Sequence, residues 1–405
     1  MTIPLSRTIR LILLAAVISS STATSHAQAS LDELGRFLRE RAAFSEDDFS
    51  ALRKGEIIVK RLGVTEKREV AVIGAVRMQA SAEQVLQAFR ASMRQANDNS
   101  LLAVGKFSSV PNLDDLQNLK LDHRDVEDLK LCVVGKCKLK LSAAMMERFQ
   151  KEVDWNAPGY QDQATRLFRE MLLDYVRDYQ ARGDAALIEY HDQQRSVSVR
   201  EEQQALLERV LYVNDFAPEL ASYLRKFPTS ERGNIETGLS WTKIKFGLKP
   251  VIIITHQSTF SRSHGDTAQQ IVSVAKQIYA NHYFDSSLAV TAIINIPASA
   301  EASDAYLLYT NHSRADSLGG AVSRLKRGLV ESEAVENLNE LLQKTRTNVD
   351  LISINQSHAP VQSGKEKAID WLLGGTRVLW LLIGLLTVLA FVWISKYQYL
   401  RMRRR

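Results

Sequence analysis

The feature that most constrains this chain is a pair of apolar segments at its two ends. Val378 to Ile394 is 17 residues long, uncharged, and broken only by Gly384 and Thr387. As a helix it would reach roughly 25 Å, the short edge of what crosses a bilayer. Trp380 and Trp393 sit near its ends and Tyr397 and Tyr399 lie just beyond, where amphipathic rings favour the headgroup level. Lys396, Arg401, Arg403, Arg404 and Arg405 follow, with nothing acidic among them. This predicts one transmembrane helix over 371–395 and, by the positive-inside bias, a cytoplasmic tail over 396–405.

The other end reads as a signal peptide over 1–29. Arg7 and Arg10 form its charged start, Leu11 to Ile18 its apolar stretch, and Ala27-Gln28-Ala29 its small-x-small cleavage pattern. Eight apolar residues make roughly 12 Å of helix, too short for the hydrocarbon core. The two ends together predict a single-pass protein of the bacterial inner membrane, with its main domain in the periplasm and its C-terminus in the cytoplasm.

Composition then has one use. The formal net charge is +6, which by itself suggests a nucleic-acid partner. The signal carries two of those charges and the tail five, so residues 30–394 stand at −1. The basic balance belongs to targeting, and no nucleic acid is expected as a partner. Two cysteines exclude a disulfide-dense scaffold.

Residues 30–345 read as one exported α+β domain. Glu56 to Leu62 and Val70 to Met78 have strand character. Ser81-Ala82-Glu83-Gln84 starts a helix with Val85, Leu86, Phe89 and Met93 on one face. Val126 to Leu141 reads as a hairpin around Gly135, which sets Cys132 opposite Cys137. Export permits a disulfide there, with two buried thiols as the alternative. Residues 142–228 form a helical subdomain, in which Ala164, Leu167, Phe168, Met171, Leu172, Tyr175 and Tyr179 recur at helical spacing before Gly183. Strand character returns at Thr237 and continues through Val251 to His256, Leu288 to Ile296 and Ala305 to Thr310. Residues 271–284 fit helix or strand. Val330, Ala334, Leu338, Leu341 and Leu342 give a closing amphipathic helix. Residues 346–370, rich in polar side chains with Pro360 and Gly364, read as a linker; Val349 to Ile354 could instead be a last strand.

Val70 to Met78, the turn Gln79-Ala80 and Ser81-Ala82-Glu83-Gln84-Val85-Leu86 resemble the opening of START-like (SRPBCC) lipid-binding domains. Residues 237–346, strands followed by Glu331 to Thr345, are similar in order to that family's antiparallel sheet and long closing helix. The helical stretch 142–228 departs from the family as an insertion. The resemblance implies a helix-grip-like sheet curved around a long helix, enclosing an apolar cavity. Trp241, Phe246, Tyr279, Tyr283 and Phe284 are the aromatic residues assigned to line it, against the plainer reading of each as core.

No motif carries chemistry. There is no phosphate-cradling glycine loop, no Gly-x-Ser-x-Gly elbow and no His-Glu-x-x-His. His191, His256, His264 and His282 have no metal-site spacing, and no metal or cofactor is expected. The sequence thus supports a membrane-tethered periplasmic protein binding a lipid-like or other apolar ligand. The alternatives are an envelope scaffold with a protein partner, its surface on helices 160–227, and a hydrolase.

Overall fold

The computed structural model describes residues 32, 34–97, 100–210, 213–230, 233–264, 267–297, 303–315, 318 and 323–357. The expected signal peptide, residues 358–370 of the expected linker, the expected transmembrane helix and the basic residues Lys396, Arg401, Arg403, Arg404 and Arg405 lie outside them. Among the described residues no helix is long and apolar enough to cross a membrane.

Eight strands form one antiparallel sheet: β1 (Ile58–Arg61), β2 (Glu69–Met78), β3 (Leu101–Lys106), β6 (Ile235–Ile244), β7 (Val251–His264), β8 (Thr267–Ala280), β9 (Phe284–Pro297) and β10 (Ser303–Ala315). Their order across the sheet is β1-β2-β10-β9-β8-β7-β6-β3. A separate two-stranded ribbon pairs β4 (Glu189–Tyr190) with β5 (Val197–Ser198).

Alternation along each strand sends side chains to two faces, and helices cover both. One face carries α1 (34–42), α2 (Glu46–Arg53), α4 (His123–Leu129), α5 (Ala143–Glu152), α6 (Tyr160–Arg182), α7 (Val199–Arg209), α8 (Val213–Phe216) and α9 (Pro218–Lys226). The other carries α3 (Ala82–Asn97) and the long α10 (Ser323–Ser357). β7 shows the split clearly. Ile252 and Ile254 pack with α6, whereas Val251 and Ile253 share a cluster with Val330 of α10.

Local chemistry sets the element ends. Ser81 and Gln84 form a reciprocal cap on α3: Gln84 N–H donates to Ser81 Oγ at 3.2 Å and Ser81 N–H to Gln84 Oε1 at 2.8 Å. Ser45 and Asp48 cap α2 the same way. Gly183 ends α6 at φ +58°, where an added Cβ would lie 2.1 Å from the Phe227 carbonyl oxygen. Only glycine fits there.

Three expectations change. Val126 to Leu141 is not a strand hairpin. Val126 and Leu129 lie in α4, whose start is capped by Asp122, and both are buried. Val126 and Leu129 are three apart, which puts both on one face of a helix but on opposite faces of a strand, and the Asp122 cap starts the helix. Cys132 and Cys137 are bonded, with Cα atoms 4.4 Å apart, around a turn held by one bridge between Val133 and Lys136. Residues 346–357 continue α10 rather than forming tether or strand. Thr345 and Val349 extend the buried stripe of Leu338, Leu341 and Leu342 by further turns. Residues 271–280 belong to β8, and 281–283 form the turn into β9.

Candidate functional site: buried amides beneath the long helix

The five aromatic residues assigned to a cavity fall into two separate clusters on opposite faces. Trp241 and Tyr279 pack against the helical stretch. Trp241 Nε1 donates to the Asp115 carbonyl at 2.8 Å, and Tyr279 Oη to the Lys140 carbonyl at 3.1 Å. Phe246 and Phe284 pack together on the α10 face, with ring centroids 5.0 Å apart and Tyr283 beside them. These are filled clusters, and the five do not share a lining.

The histidines do not converge either. His282 Nε2 meets Asp125 Oδ1 at 3.0 Å, where Lys249 Nζ also donates at 2.8 Å. His191 is partly exposed near the disulfide turn, where its carbonyl accepts Gly135 N–H. His256 is buried, with Nδ1 2.8 Å from Tyr179 Oη and Nε2 2.6 Å from Thr237 Oγ1. It borders a cleft of about 350 Å³ rimmed by Lys106, Ser108, Ser109 and Gln180. No group of three metal-binding side chains exists among the described residues.

One end of the sheet is joined to the helical stretch by buried charges. Arg314 donates to Glu69 Oε2 through Nε and Nη2 at 3.0 and 2.9 Å, and to Glu202 at 2.8 Å. Arg68 bridges Glu202 and Asp285 at 2.7 and 2.8 Å, and Lys140 reaches Asp285 at 2.7 Å. Burial alone would raise the Glu69 carboxyl, but hydrogen bonds to His312 and Arg314 hold it below the usual carboxylate range. The same balance lowers Asp125, beside His282 and Lys249. Every charge in these networks has a partner, which marks them as structural ties.

The α10 face of the sheet holds a different arrangement. Cross-strand pairing fixes its rows. Ile271, Ile293, Leu307 and Val76 form one apolar row beneath α3 and α10. The next runs Thr259, Ser273, Thr291, Tyr309 and Gly74. The row after that runs Gln257, Ala275, Ala289, Asn311 and Val72. Gln277 follows beside Thr255 on one side, and Ser287 beside Ser313 on the other. Val70 closes that row opposite Ser313, and beyond it the face turns apolar again, with Ile253, Ala280 and Phe284 around Val330. A strip of amides, hydroxyls and alanines therefore crosses the middle of a face that is apolar on both sides.

That strip is buried and incompletely paired. Gln257 is 4% exposed, Gln277 4% and Asn311 1%. Gln257 Nε2 donates to Ser273 Oγ at 2.9 Å, and Ser313 Oγ donates to Asn311 Oδ1 at 2.7 Å. Asn311 Nδ2 lies against the Tyr309 hydroxyl without a well-formed hydrogen bond, and Gln257 Oε1 and Gln277 Nε2 have no protein partner. Neither has Asn337 Nδ2 on α10. Asn337 lies near whole helical turns from Val330, Leu341 and Asn348, so it shares their side of α10. Val330 packs over the lower apolar cluster, and Asn348 Nδ2 donates to Ser92 Oγ of α3 at 2.8 Å. Glu331, about a third of a turn round the helix from Asn337, faces Arg61 of β1. Asn337 thereby lies on the side of α10 that faces α3.

No charged side chain of a strand stands within these rows between β7 and β10. An unpaired buried polar atom costs roughly 1–3 kcal/mol; Tyr309 Oη and Asn295 Oδ1 join these amides on the same face of the sheet, and Gln203 Oε1 and His312 Nε2 are further cases away from it. Sequence reasoning missed this site because amides form no motif; the one signal was the recurrence of Gln, Asn, Ser and Thr inside β-rich segments.

No protein-family model matches the chain, and no curated protein matches it.

Proposed function

We propose that the chain is a membrane-tethered periplasmic binding protein of helix-grip type, its ligand held between the sheet and α10. The helical stretch 142–228 acts as an insertion that stiffens the far face. The terminal span keeps the domain at the inner membrane. The underpaired amides carry this reading: Gln257, Gln277 and Asn311 on the sheet, and Asn337 on α10.

They also change the ligand. The sequence suggested a lipid-like molecule in an apolar cavity. An amide and hydroxyl floor favours a polar one, because an apolar ligand would leave those amides unpaired. Native mass spectrometry of the full chain, released from mild detergent, tests the reading. A small polar adduct is expected in one-to-one ratio, lost on Asn311→Leu. A chain free of adduct, with no ligand-dependent change in melting, counts against it. Protease protection of a C-terminal tag in spheroplasts tests the topology separately.

A second reading, an envelope interaction protein, is favoured by one observation. The disulfide turn exposes Leu131, Val133 and Val134 by 77%, 54% and 58%. Cross-linking from Val134 to an envelope protein in cells would support it.

A further inference from the structure

We infer that the chain binds an extended, acidic peptide segment of a partner protein by strand addition along the open edge of β6. This lies apart from the strip beneath α10 and does not rest on it. Main-chain geometry, a cleft and charge each point to it.

The main chain comes first. β3 pairs with β6 only as far as Lys106 opposite Ser240. Just past that pair, Phe107 N–H donates to the Leu239 carbonyl at 3.0 Å; at the other end, Lys245 N–H donates to the Ser100 carbonyl at 2.7 Å. Odd-numbered residues of β6 therefore turn their N–H and C=O groups towards β3. Ile235 and Thr237 continue that edge beyond the end of β3, where no strand lies alongside among the described residues. The other edge of β6 is taken by β7 along its whole length. An incoming chain that prolongs the line of β3 would meet the N–H and C=O groups of both residues.

A cleft follows the same edge. Its volume is about 350 Å³; Thr237, Gly238 and Leu239 border it on one side, and Tyr223, Phe227 and Pro228 on another. His256 forms its floor with both ring nitrogens engaged, Nδ1 by Tyr179 and Nε2 by Thr237. A residue paired with Thr237 on an added strand would send its side chain to the same face as Thr237, into this cleft. A second groove of about 980 Å³ continues past Asn234 and Ile235.

Charge selects the peptide. Lys106, Lys226 and Arg262 border the two openings, against the carboxylate of Glu219, which Arg262 meets at 3.8 Å. Glu236 stands between Ile235 and Thr237 but projects to the opposite face, where it acts on Arg90 of α3. Lys276, across the strands from His256, is committed to Asp184. The surplus at the openings is positive, which favours carboxylates on the added strand.

The experiment selects peptides on the full chain in detergent micelles from a displayed library of random decapeptides. The consensus peptide is synthesised and its binding read by fluorescence anisotropy. Asp or Glu is expected in the consensus, with one large apolar residue for the cleft. Methylating the peptide amides singly should weaken binding by about tenfold or more at alternate positions and leave those between unchanged, because only alternate amides face β6. Thr237→Pro removes an open N–H without breaking the β7 ladder and should weaken binding by a similar factor. Thr237→Val keeps that N–H and should bind as the native chain does. The methylation scan uses the native chain, so it decides even where Thr237→Pro fails to fold. No enriched peptide, a basic consensus, or a scan without alternation overturns the inference. A native chain that sediments as a dimer, and as a monomer in Thr237→Pro, assigns the edge to a second copy and overturns it too.

Discussion

Gly74 of β2 faces Leu342 of α10 so closely that an added Cβ would stand 2.7 Å from Leu342 Cδ1, and 2.9 Å from Leu338 Cγ. The long helix therefore touches the sheet at β2 with no space for a methyl group. The polar strip begins next to this contact, with Tyr309 and Asn311 on the neighbouring strand. Gly74 sets one wall of the proposed site by letting the helix down at that edge.

Gly74→Val should push α10 away from β2. Overpacking of this kind costs typically 1–3 kcal/mol. Urea unfolding followed by far-ultraviolet circular dichroism checks it. Unchanged stability would mean that the helix does not seat on Gly74.

Glu69 gives an acid limit. Its folded carboxyl lies below the ordinary value of 4.5 because of His312 and Arg314. The folded state then binds fewer protons than the unfolded state near that pH. Its stabilisation is full above the unfolded value and drains as pH falls through the folded one. Stability should decline below about pH 4.5. Glu69→Gln should flatten that limb and, by leaving Arg314 less well paired, cost about 3–5 kcal/mol at neutral pH. Melting curves from pH 3 to 7 on both chains measure it.

Glu333 of α10 shifts the other way. Burial, with Glu336 adding repulsion, pushes its carboxyl up to about 7. The folded state holds the proton more tightly, so stability should fall as pH rises from the ordinary 4.5 towards 7. Glu333→Gln should remove that fall, giving a chain that melts higher than the native one above pH 7. Parallel melting curves at pH 5 and pH 8 decide the matter.

Asn337→Leu separates a functional amide from a structural one. It removes an unpaired buried Nδ2 and places a better helix former on α10. The ligand-free chain should gain about 1 kcal/mol, a rise of roughly 2–4 °C in melting temperature for a domain of this size. A structural amide, bridged to the sheet by water, would give the opposite sign.

Much of the fold is legible in the residues. Ser81 and Gln84 announce the start of α3, Gly183 the end of α6, and the Leu338 to Leu342 stripe the closing helix, because each acts through neighbours within a turn. The strands are legible only where apolar residues dominate. β7 runs on from His256 through Gln257, Thr259 and Ser261, which look like turn residues until β6 and β8 lie alongside them.

The site was not legible, for a related reason. Gln257, Gln277, Asn311 and Asn337 lie on four elements spread over 81 residues, and no local pattern joins them. The sequence by itself determined the apolar segments at the two ends, the placing of the net charge, and the caps and stripes of single elements. All of these depend on residue identity or on short-range chemistry. Only the tertiary structure decided that the α10 face is polar across its middle. Register brings distant strands side by side, and burial turns an ordinary amide into one that needs a partner.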